Sequence, residues 1–507
     1  MDAAPENIRY LKYLAQEYPS QDDVAERIIN LQAQLNLPKG TEHFISDIHG
    51  EYDAFCKVVS HASGAIKRKI DEIFQHSLSD EEKINLGALI YTPESMLGIM
   101  LPAVDDQGQW YQYTIARLIQ VLRAVSSKYT RSRVMQLIEG RFEKLVEELL
   151  YEKENLTDKS DYYQGLLETI VVVGQAKALI IVIARAIQCL AIDHLHVVGD
   201  IYDRGPGAHQ ILDRLMAYHS VDIQWGNHDI LWMGAAGGSE ACIANVIRIS
   251  LRHGNMETLV NGYAVSLLPL ASFAIDTYGD DPCDLFKPQR FNESGDSKAE
   301  RTLMAQMHKA ITIIQFKLEA QIIKRRPEYG LKDRLLLDQV DFQQGTVMVD
   351  SQNYPLLDLL FQTVSPETPY ALTPAEQHVV DRLKVAFLNS EKLQQHARFL
   401  FAKGSIYKTH NGNLLYHGCI PMNGDGSYKT LGLDSAEYAG KDLMEKLHRF
   451  ARQGFFTTGD AEKKHTGLDA MWYLWCGPCS PLFGKDKMTT FEQYFLEDQA
   501  THKEPRN

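Results

Sequence analysis

The stretch that most constrains this chain is His194-Leu195-His196-Val197-Val198-Gly199-Asp200-Ile201-Tyr202-Asp203-Arg204-Gly205. Apolar residues run into Val197 and Val198 with no breaker until Gly199, the pattern of a buried strand. The strand then stops on a glycine and presents Asp200, Asp203 and Arg204. Taken alone, this reads either as an acidic turn capped by an ion pair or as a site for a hard cation beside a phosphate. Carboxylate oxygens take divalent ions, and a planar guanidinium grips phosphoryl oxygens in pairs.

The same local grammar recurs. His43-Phe44-Ile45-Ser46-Asp47-Ile48-His49-Gly50 is a short strand ending in an Asp-x-His-Gly turn, followed by a helix carrying Phe55, Val58 and Val59. Asp47 and His49 lie two apart, so on extended chain their side chains share a face. One oxygen and one imidazole ligand suit Mn, Fe or Zn. Val221 to Trp225 is a third strand, closing on Gly226-Asn227-His228-Asp229 before an apolar helical run. Those polar residues can cap the helix; equally, Asn227 can offer a carbonyl oxygen to a metal and His228 can move a proton near neutral pH. A hairpin follows, Ser405–Thr409 and Asn413–Gly418 about Asn411-Gly412, and places His417 at a strand end before a glycine.

Four strand ends thus carry chemistry that fits together. Asp47, His49 and Asp200 can hold one ion, and Asp200, Asn227 and His417 a second, with Asp200 bridging. Arg204 would neutralise phosphoryl charge. His228, oriented by Asp203, would protonate a leaving alkoxide.

Long helical segments separate these ends. Residues 1–40 read as an N-terminal helical segment with Ile28, Ile29, Leu31 and Leu35 at helical spacing. A first helical insertion covers 61–189, with one stripe through Val134, Ile138, Phe142, Leu145 and Leu149 and a helix from about Tyr162 to Cys189. A second, mainly helical insertion covers 236–403. It contains a stripe from Leu303 to Ile322 that ends in Lys324-Arg325-Arg326, and a capping box at Thr373-Pro374-Ala375-Glu376. The three basics suit a helix C-terminus or an anion site. The core is left to 41–60, 190–235 and 404–440, and a polar C-terminal segment to 441–507.

Composition narrows the class. A formal net charge of −14 over 507 residues leaves no basic surplus for nucleic acid. The longest uninterrupted run in the most apolar segment, Ala178 to Ala184, falls short of the roughly 20 residues a membrane span needs. No signal-like apolar region opens the chain, and seven scattered cysteines suit a reducing cytoplasm. Trp475-Cys476-Gly477-Pro478-Cys479 copies a redox pentapeptide, but the turn-like Ser480-Pro481 that follows lacks the helix such thiols need. Cys476 and Cys479 are therefore expected to be incidental loop residues or a regulatory pair. Gly234-Ala235-Ala236-Gly237-Gly238 lacks a P-loop lysine and reads as close helix packing.

The order D-x-H-G, G-D-x-x-D-R-G, G-N-H-D, H-G resembles the calcineurin-like metallophosphoesterases. Lys39 to Phe44, His194 to Pro206, Val221 to Trp232, Gly412 to Pro421 and Met488 to Glu492 are closer to bacterial class III fructose-1,6-bisphosphatase. The resemblance implies an α+β (αββα) two-sheet sandwich flanked by helices, with two large insertions. It implies a two-metal site using Mn2+, hydrolysis of the 1-phosphate of fructose 1,6-bisphosphate in gluconeogenesis, control by AMP and phosphoenolpyruvate, and a homo-oligomer. It also implies a G-H-x-P-V-K element after His417, whose histidine completes the second metal site. His465 and His502 lie in other contexts, so C-terminal truncation, weakened second-metal binding and an exposed sheet edge are expected. The competing readings are another metallophosphoesterase (a protein phosphatase or dinucleoside-polyphosphate hydrolase) and a non-catalytic remnant that binds metal or metabolite.

Overall fold

Glycine ends the strands at the positions where the sequence places chemistry. A computed structural model describes residues 5–60, 64–138, 140–151, 159–289 and 297–505. Its strands are β1 (Glu42–Ser46), β2 (His194–Val198), β3 (Val221–Gln224), β4 (Val340–Asp341), β5 (Thr346–Val349), β6 (Gln352–Pro355), β7 (Gly404–Ser405), β8 (Tyr407–His410), β9 (Asn413–Tyr416), β10 (Thr430–Leu433) and β11 (Ala436–Ala439). β1, β2, β3 and β7 form one sheet in that order. β2 and β3 run parallel with His196 opposite Asp222, and β3 and β7 run parallel with Gln224 opposite Ser405. β4–β6 form a small antiparallel sheet, and β8–β9 and β10–β11 are hairpins. The β8–β9 turn has Asn411 and Gly412 both at positive φ, the two-residue geometry that an Asn-Gly pair favours. This mixed α and β content agrees with the expected α+β class; a two-sheet sandwich is a finer description.

Chain contacts divide the molecule into two units, Met1–His43 with Lys57–His194 and Phe44–Cys56 with Leu195–Asn507. The first is helical around a hydrocarbon core. Leu89, Ile115, Leu118, Leu122, Val146, Leu149, Leu179, Ile183 and Ile187 are buried in one cluster. Two expected helices are broken. The 134–149 stripe lies on Arg131–Met135 and Glu143–Tyr151; Val134, Ile138, Phe142 and Leu149 are buried all the same. The 162–189 run is Ser160–Val172 and Ala176–Ala191, because Gly174 turns left-handed between them. Among the described residues no single helix is long and apolar enough to cross a membrane. That pair passes only when joined, and it bends by 113°. The N-terminal segment is also two helices, Pro5–Glu17 and Gln21–Gln34, with Ser20 capping the second. Its residues Ile28, Ile29, Leu31 and Leu35 are exposed instead of packed. Residues 1–4, part of that expected helical run, lie outside the described ones, as do 61–63, 139 and 152–158 of the first insertion.

The second unit carries the strand ends and a bundle built on the helix Lys298–Arg325. That helix buries charge: Lys309 meets Asp281 (2.5 Å) and Asp358 (2.6 Å), and Lys317 meets Glu376 (2.7 Å). The expected capping box at Thr373 is present, so Glu376 both caps its helix and pairs with Lys317. Arg325 and Arg326 close on Asp469 of the helix Ala461–Cys476 at 2.5 and 3.0 Å, which takes them out of consideration as an anion site. The C-terminal segment is not simply polar. Phe491, Tyr494 and Phe495 of the short helix Thr490–Phe495 are buried; Tyr494 stacks on Phe286 and Phe495 on Phe361.

Candidate active site

The turns after β1 and β2 are stitched together by backbone. Asp47, His49 and Gly50 donate their N–H groups to the carbonyls of Gly199, Asp200 and Ile201 at 3.2, 2.8 and 2.8 Å. Gly205 returns the favour to His49 at 2.6 Å. A Cβ on Gly50 would lie 2.1 Å from the Gly205 carbonyl oxygen, so only glycine lets the two turns touch. Asp47, His49 and Asp200 all take left-handed φ near 50°, and Asp203 sits at 130°. Non-glycine residues rarely hold such angles unless the surroundings enforce them, and they gather at functional sites.

This seam brings together residues that the sequence keeps far apart. One ligand atom each from Asp47, His49 and Asp200 lies within 4.8 Å of the others. His49 Nδ1 faces the Tyr202 carbonyl (3.4 Å), which leaves Nε2 toward Asp47 (3.7 Å), the division of labour that fixes a ligating imidazole. His417 behaves alike. Its Nδ1 donates to the Val198 carbonyl (3.0 Å), and its Nε2 stands 3.3 Å from Asp200 Oδ2. Gly199 makes room for that ring, since a Cβ there would lie 2.3 Å from Nδ1. Burial opposes ionisation of Asp200, but the charges and hydrogen bonds of His228 and His417 outweigh it and hold the carboxyl at about 2. Burial likewise disfavours a charged His417, and the hydrogen bond and charge of Asp200 override it, raising the imidazole to about 9.

Asn227 and His228 open the helix Asn227–Ala236. The capping reading of Gly-Asn-His-Asp holds, and it falls on the last residue. Asp229 is the cap: fully buried, it accepts from Gly226 (2.9 Å), Ile201 (2.9 Å) and Tyr202 (3.2 Å). Burial and the charge of Asp200 push its carboxyl up to about 6. Asn227 is thereby relieved of capping, and its side chain makes no hydrogen bond among the described residues. The His228 backbone donates to Asp200 Oδ1 (3.1 Å), and its Nδ1 lies 3.6 Å from Asp203, an ion-pair contact longer than a hydrogen bond. Asp203 is a hub. It also faces His49 (3.7 Å), His253 (3.8 Å) and Arg204 Nε (3.1 Å).

A cleft of about 460 Å³ opens beside this hub, lined by Asp203, Arg204, His228, Arg248, Arg252 and His253 among others. Trp475 forms one wall, its ring edge-on to His228 with centroids 4.9 Å apart. Sequence reasoning missed Arg248, Arg252, His253 and Trp475. The one local signal was basic residues four and five apart before Gly254, which reads as an ordinary helix end. Of the distractors, Cys476 ends its helix instead of starting one, is buried, and accepts from Arg334 at 3.0 Å. Burial raises that thiol to about 12, and both cysteines are unpaired by disulfide. Gly234 packs against Cys242 and Met471, as its small size allows. His196, fully buried, contacts Asp222 at 2.9 Å inside the sheet.

A family model described as Firmicute fructose-1,6-bisphosphatase matches residues 9–507. The class 3 fructose-1,6-bisphosphatase of Clostridium botulinum (strain Loch Maree / Type A3) is 53% identical over 502 residues, 99% of this chain and 75% of that protein. Those of Clostridium tetani (strain Massachusetts / E88) and Clostridium novyi (strain NT) are 52% and 51% identical, covering 98% and 100% of this chain and 75% and 76% of theirs. The family match runs to residue 507, and the chain spans about three quarters of the length of these three relatives. No solved structure matches.

Proposed function

This chain belongs to the Firmicute fructose-1,6-bisphosphatase family, and from that premise we propose that it hydrolyses the 1-phosphate of fructose 1,6-bisphosphate to fructose 6-phosphate and inorganic phosphate, a step of gluconeogenesis. The observation that carries this reading is the gathering of Asp47, His49, Asp200 and His417 at one sheet edge beside a cleft that holds Asp203, Arg204 and His228.

Two carboxylates, two imidazoles and the Asn227 amide form a donor set suited to divalent ions of the manganese kind. Asp47, His49 and Asp200 would hold one such ion, and Asp200, Asn227 and His417 would hold a second. Bound there, such ions would supply Lewis-acid polarisation of the phosphoryl group and activation of the attacking water. Arg204, whose side chain is about half exposed at the cleft, pairs with phosphoryl oxygens. His228 Nδ1 faces Asp203, so Nε2 is the atom that delivers a proton to the departing sugar oxygen as its bond to phosphorus breaks. Water supplies the new oxygen on phosphate, and its proton balances the one given to the sugar.

The rest of the reading leans on the family resemblance: manganese as the ion, AMP and phosphoenolpyruvate as effectors, a homo-oligomer, a cytoplasmic setting, and a calcineurin-like αββα core interrupted by insertions at 61–189 and 236–403. The test is phosphate release from fructose 1,6-bisphosphate with manganese added. Asp200→Ala is expected to lower turnover about a thousandfold or more, on the scale of removing a preorganised charge contact. A chain that ignores fructose 1,6-bisphosphate but cleaves phosphopeptides or dinucleoside polyphosphates would replace this substrate with one of the alternatives.

A further inference from the structure

Arg248 and Arg252 lie one turn apart on the helix Glu240–His253 and line the same cleft as Asp203 and His228. Arg248 is 3% exposed. Its guanidinium rests on neutral acceptors, donating from Nε to Gln315 Oε1 (2.6 Å) and from Nη1 to the Tyr494 hydroxyl (3.4 Å). The Gln315 amide is itself held, because its nitrogen donates to Glu319 (3.2 Å) and its oxygen is thereby aimed at the arginine. Arg252 packs over the Tyr494 ring at 5.9 Å. Among the described residues no carboxylate comes within ion-pair distance of either guanidinium. Elsewhere in this unit the buried cations each have one: Lys309, Lys317 and Arg334 are all matched by Asp or Glu. A buried charge without a counter-charge is costly, and a guanidinium has five donors of which Arg248 uses two.

The acidic groups at the cleft do not supply what is missing. Glu504 is occupied by Lys485 (2.5 Å), and Asp203 is shared by three histidines and Arg204. His253, between Arg252 and Asp203, is discouraged from charging by burial, with Arg252 and Arg204 acting in the same sense. The cleft is therefore lined both by Asp203 and His228 and by two guanidiniums, Arg248 and Arg252, that no carboxylate neutralises. Its volume falls within the range of small-ligand pockets.

We infer that Arg248 and Arg252 bind the second phosphate of a sugar bisphosphate, the one that is not cleaved, and so fix which phosphate reaches Asp203 and His228. The inference rests on the sugar-bisphosphate reading of the site. It makes these arginines specificity residues: an anion there completes the missing pairing and orients the substrate along the cleft.

The test measures binding of fructose 6-phosphate, which keeps that phosphate, to the manganese-loaded chain by calorimetry. Arg252→Ala, on a half-buried side chain, is expected to weaken binding about 10- to 100-fold, the equivalent of one or two charge-assisted hydrogen bonds. Arg248→Lys should weaken it as well, since a point charge does not reproduce a fork. On turnover, the loss in kcat/KM for fructose 1,6-bisphosphate should exceed the loss for an aryl monophosphate by about tenfold or more. Equal binding by wild type and Arg252→Ala, no binding by wild type, or equal losses on the two substrates would overturn the inference. A wild type that binds fructose 6-phosphate through Arg252 yet does not hydrolyse fructose 1,6-bisphosphate would sink the proposed activity and leave this site standing.

Discussion

The two units are packed by different forces. Within residues 57–194, the buried polar side chains among the described residues are Thr114 and Ser126; everything else at the centre is hydrocarbon. The single helix Lys298–Arg325 buries Gln306, His308, Lys309, Thr312, Gln315, Lys317 and Glu319. Hydrocarbon burial is non-directional and tolerates any filling of about the right size and shape. Buried charges and amides must each find a partner, so they fix the rotation and register of the helices that carry them. It is the second kind of packing that borders the cleft, through Gln315 and Arg248.

That contrast can be broken by substitution. Lys317→Met leaves Glu376 buried without its cation and is expected to cost about 4 kcal/mol in urea unfolding. Adding Glu376→Gln, which keeps the cap on its helix, should recover more than half of the loss. A double variant no better than the single would mean that the charge pair is not what matters. Leu122→Ala, in the hydrocarbon core, should cost about 3 kcal/mol, while Leu122→Met should cost less than about 1.5. Comparable losses from both Leu122 changes would show that this core is as exacting as the bundle.

The third prediction concerns acid. His308 is buried, donating to the Phe286 carbonyl and accepting from the Tyr494 hydroxyl, and burial lowers its pKa from 6.5 to about 3. The unfolded chain takes up a proton below pH 6.5 that the folded chain refuses until about pH 3. Stability is therefore fully present above pH 6.5 and falls as the pH drops through that window, by about 1.4 kcal/mol at pH 5.5. His308→Asn should flatten this slope, as read from Tm against pH. An unchanged slope would place the acid sensitivity elsewhere.

How much of this was legible in the sequence follows from how local each feature is. Asp47, His49, Asp200, Asn227 and His417 announce themselves because a strand, a glycine and a polar side chain are neighbours in the chain. The capping box at Thr373 and the Asn411-Gly412 turn are equally local, and both formed as expected. Arg248 and Arg252 gave no such signal: their meaning lies in the neutral partners that tertiary packing brings to them. The 134–149 stripe kept its apolar period while the helix beneath it broke, since burial reads side-chain positions and not backbone continuity. Phe491, Tyr494 and Phe495 were passed over because a six-residue helix is too short for a period to show.

The backbone seam between the turns after β1 and β2 separates ligand geometry from chain length. His49 and the Tyr202 carbonyl it faces are 153 positions apart, yet both belong to one compact unit and to one hydrogen-bonded seam. Doubling the length of a loop between two fixed points costs only about 0.6 kcal/mol of closure entropy. The helices between these two turns are thus free to grow, shrink or be exchanged as a cassette, with the Asp47, His49 and Asp200 side chains held together by a seam that does not pass through them.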